Sequence, residues 1–258
     1  MQGVIAASAR GPLSDRAMAP LIERAFAKGR PAAVALLINS PGGSPTQSSL
    51  IGARIRRLAE EHEVPVHAFV EDVAASGGYW LACAADDIWL DDSSITGSIG
   101  VISASFGFPE LMARWGIERR VHTAGEDKSM LDPFRPERDE DVTRLKAIQG
   151  DIHATFVDWV RARRGARLAE GRDLFTGEIF VGRRAVEAGL ADGIAHPVPK
   201  LKDLYGDEVQ LMGLAPRRPL LRRLSPLGLA GPEDLAGRLA SGLIEEAGHR
   251  AIWARYGL

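Results

Sequence analysis

Residues Pro31 to Asn39 form an unbroken apolar run of strand length, the pattern of a strand buried on both faces of a parallel sheet. Ser40-Pro41-Gly42-Gly43 ends it with a strong turn signal. From about Thr46 to Glu61 the pattern becomes helical. Ile51, Ile55 and Leu58 recur at i, i+4, i+7, with Arg54, Arg56, Arg57 and Glu60 on the other positions, which predicts an amphipathic helix. Val66 to Val70 reads as the next short strand. Ser76-Gly77-Gly78 then opens a helical stretch, Tyr79 to Ala85, and Ile88 to Leu90 is a strand again. Such alternation predicts an α/β fold with crossover connections. Gly3-Val4-Ile5 reads like the tail of a strand, an abrupt beginning that leaves room for a missing N-terminal piece, which could hold a membrane anchor.

A second helical zone runs from Arg138 to about Arg164, with Val142, Leu145, Ile148, Ile152, Phe156 and Val160 at 3–4 spacing. Phe175-Thr176-Gly177 predicts a short loop, and Arg183 to Gly189 a helix closed by Gly189. Pro216 to Pro232 is Pro- and Arg-rich, which predicts an irregular segment. Glu233 to Tyr256 reads as a final amphipathic helix on Leu235, Leu239, Leu243 and Ile244.

Composition narrows the class. The 258 residues are 45% hydrophobic and 26% charged, the profile of a globular chain with enough length for a real core. A net charge of −2 gives no sequence-wide footprint for nucleic acid or an anionic membrane, so no nucleic-acid partner is expected. The single cysteine, Cys83, excludes disulfide frameworks and multi-cysteine metal sites, and its apolar setting predicts a packed thiol. No secretory signal opens the chain and no window nears the roughly 18 apolar residues of a transmembrane helix, so the expected location is cytoplasmic or peripheral to a membrane. Arg217, Arg218, Arg222 and Arg223, interleaved with leucines, fit membrane-surface contact or, more simply, a solvated tail.

Two glycine pairs directly follow predicted strands: Gly42-Gly43 and Gly77-Gly78. Glycine there often only turns the chain. The second pair stands out because Ser76 precedes it and a helical run follows. A serine at a helix N-terminus lies among free N–H groups and the positive end of the helix dipole. That place suits a nucleophile whose attack creates an oxyanion, and it equally suits a plain helix cap. The local sequence leaves both open. Ala74-Ala75-Ser76-Gly77-Gly78 is not a G-x-S-x-G elbow, which removes the main support for an α/β-hydrolase.

A serine nucleophile needs a base. The histidines are His62, His67, His122, His153, His196 and His249, and apart from His122 none is in a Gly-rich loop or beside a strand-end turn. They read as surface or packing residues. Lysine is the other known partner, and as a base it must be neutral, which requires burial or a neighbouring positive charge. Lys128, in the loop Thr123 to Ser129 between an expected strand and the long helix, is the candidate, against the ordinary reading of a solvated lysine.

Asn39-Ser40-Pro41-Gly42-Gly43, Ala75-Ser76-Gly77-Gly78-Tyr79-Trp80 and Thr96-Gly97-Ser98-Ile99-Gly100-Val101 together resemble the signal peptide peptidase A family (SppA- and SohB-like serine peptidases). Gly125 to Ser129 followed by Asp132-Pro133-Phe134 resembles its lysine loop. Gly171-Arg172, Phe175-Thr176-Gly177, Ala185 and Gly189-Leu190-Ala191-Asp192 resemble its C-terminal signature. The match keeps this order from about Gly3 to Ile194.

The resemblance implies an α/β, Clp-protease/crotonase-like fold of stacked ββα units with a helical C-terminal extension. The peptidase domain would cover 1–198, and a Pro/Arg-rich linker with an amphipathic helix 199–258. It further implies a Ser/Lys dyad of Ser76 as nucleophile and Lys128 as general base. The N–H groups of Gly43 (or Gly42) and Gly77 would form the oxyanion hole, with Ser129 bonding Lys128 or lining the site. No metal or cofactor is implied. The substrate would be a peptide or protein, apolar segments such as signal-peptide remnants above all, and the enzyme a homo-oligomer. Clp-type proteases share the Gly-Gly loop and the serine but use a His–Asp pair, and Ser93 to Phe108 holds no histidine.

Glu126 and Asp127 depart from expectation, because carboxylates beside a lysine favour its protonated form. They have to face solvent or be paired, with Arg119 or Arg120 as the expected partners. The alternatives are a catalytically silent scaffold or binding subunit, motivated by that acidic pair, and a crotonase-type acyl-CoA enzyme sharing the fold.

Overall fold

Helix α1 (Asp15–Ala27) precedes strand β1 (Val34–Ser40), followed by α2 (Pro45–His62), β2 (Val66–Ala75), α3 (Gly77–Ala82), β3 (Asp87–Leu90) and β4 (Ile95–Gly97). Then come α4 (Pro109–Arg114), α5 (Asp139–Arg164), β5 (Ile179–Val181), α6 (Gly182–Glu187), β6 (Gly193–Ile194) and α7 (Pro197–Tyr205). This computed structural model describes residues 1–7, 13–27, 29–125, 127–214 and 250–257. They fall into two units, Met1–Ile99 with Trp159–Leu258, and Gly100–Asp158.

In the first unit the sheet is organised around β2, which pairs with β1 on one side and with β3 and β4 in succession on the other. β6 joins β3 in parallel, and β5 closes the far side antiparallel to β4. Being central, β2 has both faces covered, and every side chain is buried except Glu71 and Asp72. Those two acids suggest a strand ending at Val70, yet it runs on to Ala75. The β1–β2 register shifts opposite them, and Gln2 and Asn39 donate to their carboxylates at 3.1 and 2.5 Å. β1 differs from its expected double burial. Val34, Leu36 and Ile38 point into the core while Leu37 is 43% exposed, because among the described residues only one face of β1 is covered.

Helix α2 follows its predicted pattern closely. Ser44 accepts from the Gln47 N–H as N-cap, Pro45 occupies the first turn, and Ile51, Ile55 and Leu58 face the core. The pattern does not announce α1, which contains Pro20, but Ile22 and Phe26 bury its inner face. Arg54 of α2 holds Asp15 of α1 through two bonds of 2.8 and 2.9 Å. The Gly3-Val4-Ile5 segment forms no regular strand but runs parallel to the end of β1 through isolated bridges at Gln2 and Ile5. The Gly3 N–H donates to Asn39 O, and Ile5 brackets the glycine turn through Ile5 N–H to Gly42 O and Ser44 N–H to Ile5 O.

Two further anchors complete this unit. Arg164, 3% exposed, holds Asp192 at 2.7 Å and the Gly189 carbonyl at 2.9 Å. Helix α7 crosses residue 198, where the sequence reading divides the chain. Leu201 is buried, and the Tyr205 hydroxyl meets His67 Nε2 at 2.6 Å.

The second unit holds α4 and the larger part of α5. Phe108 stacks on Phe134, with the Arg119 guanidinium over the Phe134 ring. Residues 117–123 form no strand, so the strand expected before Lys128 is absent and the segment is an extended loop. Phe106 and Trp115 are 82% and 73% exposed. Among the described residues no helix is long and apolar enough to cross a membrane. The predicted core positions of the last helix (Leu235, Leu239, Leu243 and Ile244), the cluster Arg217, Arg218, Arg222 and Arg223, and Glu126 lie outside the described residues.

Candidate active site

β1, β2 and β4 run parallel and end together at Ser40, Ala75 and Gly97. The C-terminal edge of a parallel sheet is where such folds place ligands, because the turns there converge. Ser76 occupies the turn from β2 into α3 with φ 52° and ψ −121°, a backbone that L-residues avoid. The neighbours hold it there. Its N–H donates to Gly97 O at 2.9 Å, and its carbonyl accepts from Trp80 N–H at 3.0 Å. Its side chain makes no capping bond to α3, so of the two readings of this serine the cap is not the one adopted. The half-buried hydroxyl has no partner among the described residues.

The Gly42-Gly43 turn packs against this corner. Gly42 has φ +97°, and a Cβ there would stand 2.7 Å from Gly77 N and 2.9 Å from Ser76 Cβ. A Cβ on Gly77 would lie 2.4 Å from Ser48 Oγ and 3.3 Å from Gly43 N. Glycine at both positions is what lets two main-chain segments meet beside the serine. The amides differ in availability. Gly42 N–H donates to Ser40 Oγ at 3.2 Å, whereas among the described residues the N–H groups of Gly43 and Gly77 have no acceptor. Gly42, Gly43, Ser76 and Gly77 thus lie together at this corner.

The far end of α3 is clasped by donors. Trp159 Nε1 bonds Trp80 O at 3.0 Å, Arg163 bonds Cys83 O and Ala85 O at 2.8 and 2.9 Å, and Arg56 bonds Ala84 O at 3.2 Å. Cations at a helix C-terminus satisfy its orphan carbonyls. Cys83 itself is fully buried, and burial pushes its thiol up to about 12, consistent with a packed rather than a reactive residue.

Lys128 and Ser129 belong to the second unit. Lys128 is exposed in the turn at 127–130, its N–H donating to Gly125 O at 3.4 Å, and Ser129 is half-buried. The partner expected for Asp127 is corrected: Asp127 pairs with Arg144 of α5, while Arg119 pairs with Asp132 and Arg120 with Glu118. The sequence does not single out Arg144, because an arginine among alternating charges on a long helix carries no local signal. Nor does it single out Ser40 and Ser48, whose complete burial is a property of the folded chain. His67 is bridged between Asp87 and Tyr205, His62 stacks on Phe26, and His122 is exposed. A cavity of about 680 Å³ lined by Arg172, Glu178, Phe180 and Arg184 contains none of these residues.

The model of "Peptidase family S49" matches residues 59–198, more than half of the chain. Among curated proteins, the chain is 52% identical over 256 residues to a Brucella melitensis protein named Na(+)/H(+) antiporter NhaA, covering 97% of this chain and 35% of that protein. It is 31% identical over 199 residues to slr0021 of Synechocystis sp., a candidate protease by name, covering 75% of this chain and 71% of that one. It is also 31% identical over 193 residues to the chloroplastic serine protease SPPA of Arabidopsis thaliana, covering 72% of this chain and 28% of that protein. The chain thus spans about a third of the length of the first curated relatives it matches, and the antiporter name describes a protein that lies largely outside the aligned part.

Proposed function

The chain belongs to peptidase family S49, a family of serine proteases, and from that premise we propose that it is an endopeptidase working through a Ser76/Lys128 dyad and an acyl-enzyme. The Clp-protease/crotonase-like α/β fold implied by the resemblance goes with that membership. The observation that carries the reading is local. Ser76 stands on a strained strand-to-helix turn, its hydroxyl caps nothing, and the unengaged amides of Gly43 and Gly77 lie beside it.

In the proposed cycle Ser76 Oγ attacks the scissile carbonyl carbon while the neutral Lys128 amine takes the hydroxyl proton. The Gly43 and Gly77 N–H groups hold the oxyanion, each contributing about 3 kcal/mol to the transition state. Gly42 serves the turn rather than the hole, since its amide is already engaged by Ser40. The tetrahedral adduct collapses, the C–N bond breaks, and the leaving amine takes the proton from Lys128. Water then attacks the ester with Lys128 again as base, and Ser76 leaves with its proton restored. Ser129, next in sequence to Lys128, is assigned to bonding the amine. An exposed lysine is a poor base, so the desolvation has to come from bound substrate or a neighbouring copy. Homo-oligomeric action on apolar peptides fits the apolar side chains exposed on the second unit.

The test compares hydrolysis of an internally quenched apolar peptide by wild type, Ser76→Ala and Lys128→Ala. Both variants are expected to lose activity by at least about 1,000-fold. Turnover surviving in both sinks the dyad, and absence of turnover in wild type, with no labelling of Ser76 by a fluorophosphonate, favours the silent scaffold.

A further inference from the structure

Helix α5 grips the lysine loop through two side chains. Arg144 pairs with Asp127, the residue next to Lys128. One turn earlier, the Asp141 carboxylate, only 5% exposed, accepts the Leu131 N–H at 3.3 Å and is held by Arg138 at 2.6 and 3.1 Å, with Arg144 at 3.9 Å. Leu131 has φ 56°, a left-handed backbone costly for leucine, and the Asp141 bond falls on its N–H. Within this unit the loop from Asp127 to Leu131 is therefore tied at both ends to the first turns of α5.

The two ties differ in kind. Asp141 is buried and multiply bonded, and the Arg138 bond, with that from the Leu131 N–H and the nearby Arg144 charge, holds its carboxyl below the usual range; it has the marks of a structural anchor. Arg144 and Asp127 are each about half exposed, and such a pair adds little to folding stability. Arg144 lies against the carboxylate next in sequence to Lys128.

We infer that Arg144 is a positioning residue for the general base: by pairing with Asp127 it cancels the carboxylate next to Lys128 and keeps the amine able to accept a proton. This rests on the Ser/Lys reading above. Among the described residues, the charged groups around this loop include Glu140, Asp141 and Arg144 from α5, Arg138 just before it, and Asp127, Arg119, Asp132 and Arg135 from the preceding segment, with Arg138 also acting on Asp127 through its charge. Arg119 is engaged by Asp132 and Arg138 by Asp141, so Arg144 is the cation paired with Asp127.

The experiment records kcat/KM against pH with an internally quenched apolar peptide for the full chain and five variants, Lys128→Ala among them, with a melting curve for each. Arg144→Ala is expected to move the acid limb about half to one pH unit higher, the effect of one unpaired charge at a neighbouring, solvent-screened side chain. Arg144→Lys should keep the wild-type limb, and Arg144→Ala with Asp127→Asn should bring it back. Asp127→Asn alone should move it lower, which tests the idea even where Arg144→Ala folds poorly. A limb that stays in place in Arg144→Ala and in Asp127→Asn, or a uniform loss of rate at every pH that Asp127→Asn does not rescue, overturns the role. Those results with Lys128→Ala inactive overturn the positioning role alone. Wild-type activity in Lys128→Ala removes the dyad, and this role with it.

Discussion

Gly42 lies so close to Gly77 that a methyl group on it would stand 2.7 Å from the Gly77 nitrogen. This contact joins the turn after β1 to the start of α3, and it sets the spacing between the two segments whose amides flank Ser76. Gly42→Ala introduces both the clash and a side chain at φ +97°. We expect a loss of about 2–4 kcal/mol in stability, from overpacking and backbone strain together. Activity should fall by at least about 100-fold through the displaced oxyanion donors. Urea titration and peptide hydrolysis measure the two; wild-type values for both would mean that the turns are not in contact.

Because Ser76 caps nothing, removing its hydroxyl should leave stability nearly unchanged. Ser76→Ala is expected to melt within about 0.5 kcal/mol of wild type, where loss of a true cap typically costs ~1 kcal/mol. Ser76→Gly should be more stable by about 1 kcal/mol, since glycine accepts φ 52° without strain, while being inactive. A clear destabilisation in Ser76→Ala would restore the capping role.

The Arg164–Asp192 pair should make stability sensitive to acid. Burial alone would raise the Asp192 carboxyl, but its bonds from Arg164, the Ile88 N–H and Arg167 hold it below the ordinary carboxylate value. A carboxylate depressed on folding contributes stability that is present above its unfolded value and is lost as pH falls through the folded one. The melting temperature should therefore drop below about pH 4, and Asp192→Asn should flatten that part of the curve while lowering stability at neutral pH. Equal acid slopes in both proteins would contradict the assignment.

Cys83 should resist alkylation in the native state. With no exposure and a thiol pushed to about 12, it carries almost no thiolate at pH 8. Iodoacetamide is expected to label it only at the rate of unfolding, and to leave peptidase activity intact over the same period. Rapid labelling of folded protein, followed by mass spectrometry, would show the α3 core to be open.

Much of the scaffold is written locally. The 3.6-residue spacing of Ile51, Ile55 and Leu58 specifies α2 and its buried face without reference to anything else. The glycine pairs after β1 and β2 likewise mark the corner where the serine sits, because only glycine tolerates those turns and that approach. The family motifs, in order along the chain, identify the serine protease class.

Other features depend on which strand lies beside which. From the apolar run alone β1 looks doubly buried, but the central place belongs to β2, and Glu71 and Asp72 are tolerated in it because Gln2 and Asn39 meet them across the register shift. Tertiary structure also decides that Ser76 does not cap α3, that the Gly42 amide is engaged while Gly43 remains available, and that Arg144 answers Asp127 in place of Arg119 or Arg120. These are long-range pairings of polar groups. Periodicity records which face of an element is apolar, and it carries no information about which distant donor will reach which acceptor once the elements pack.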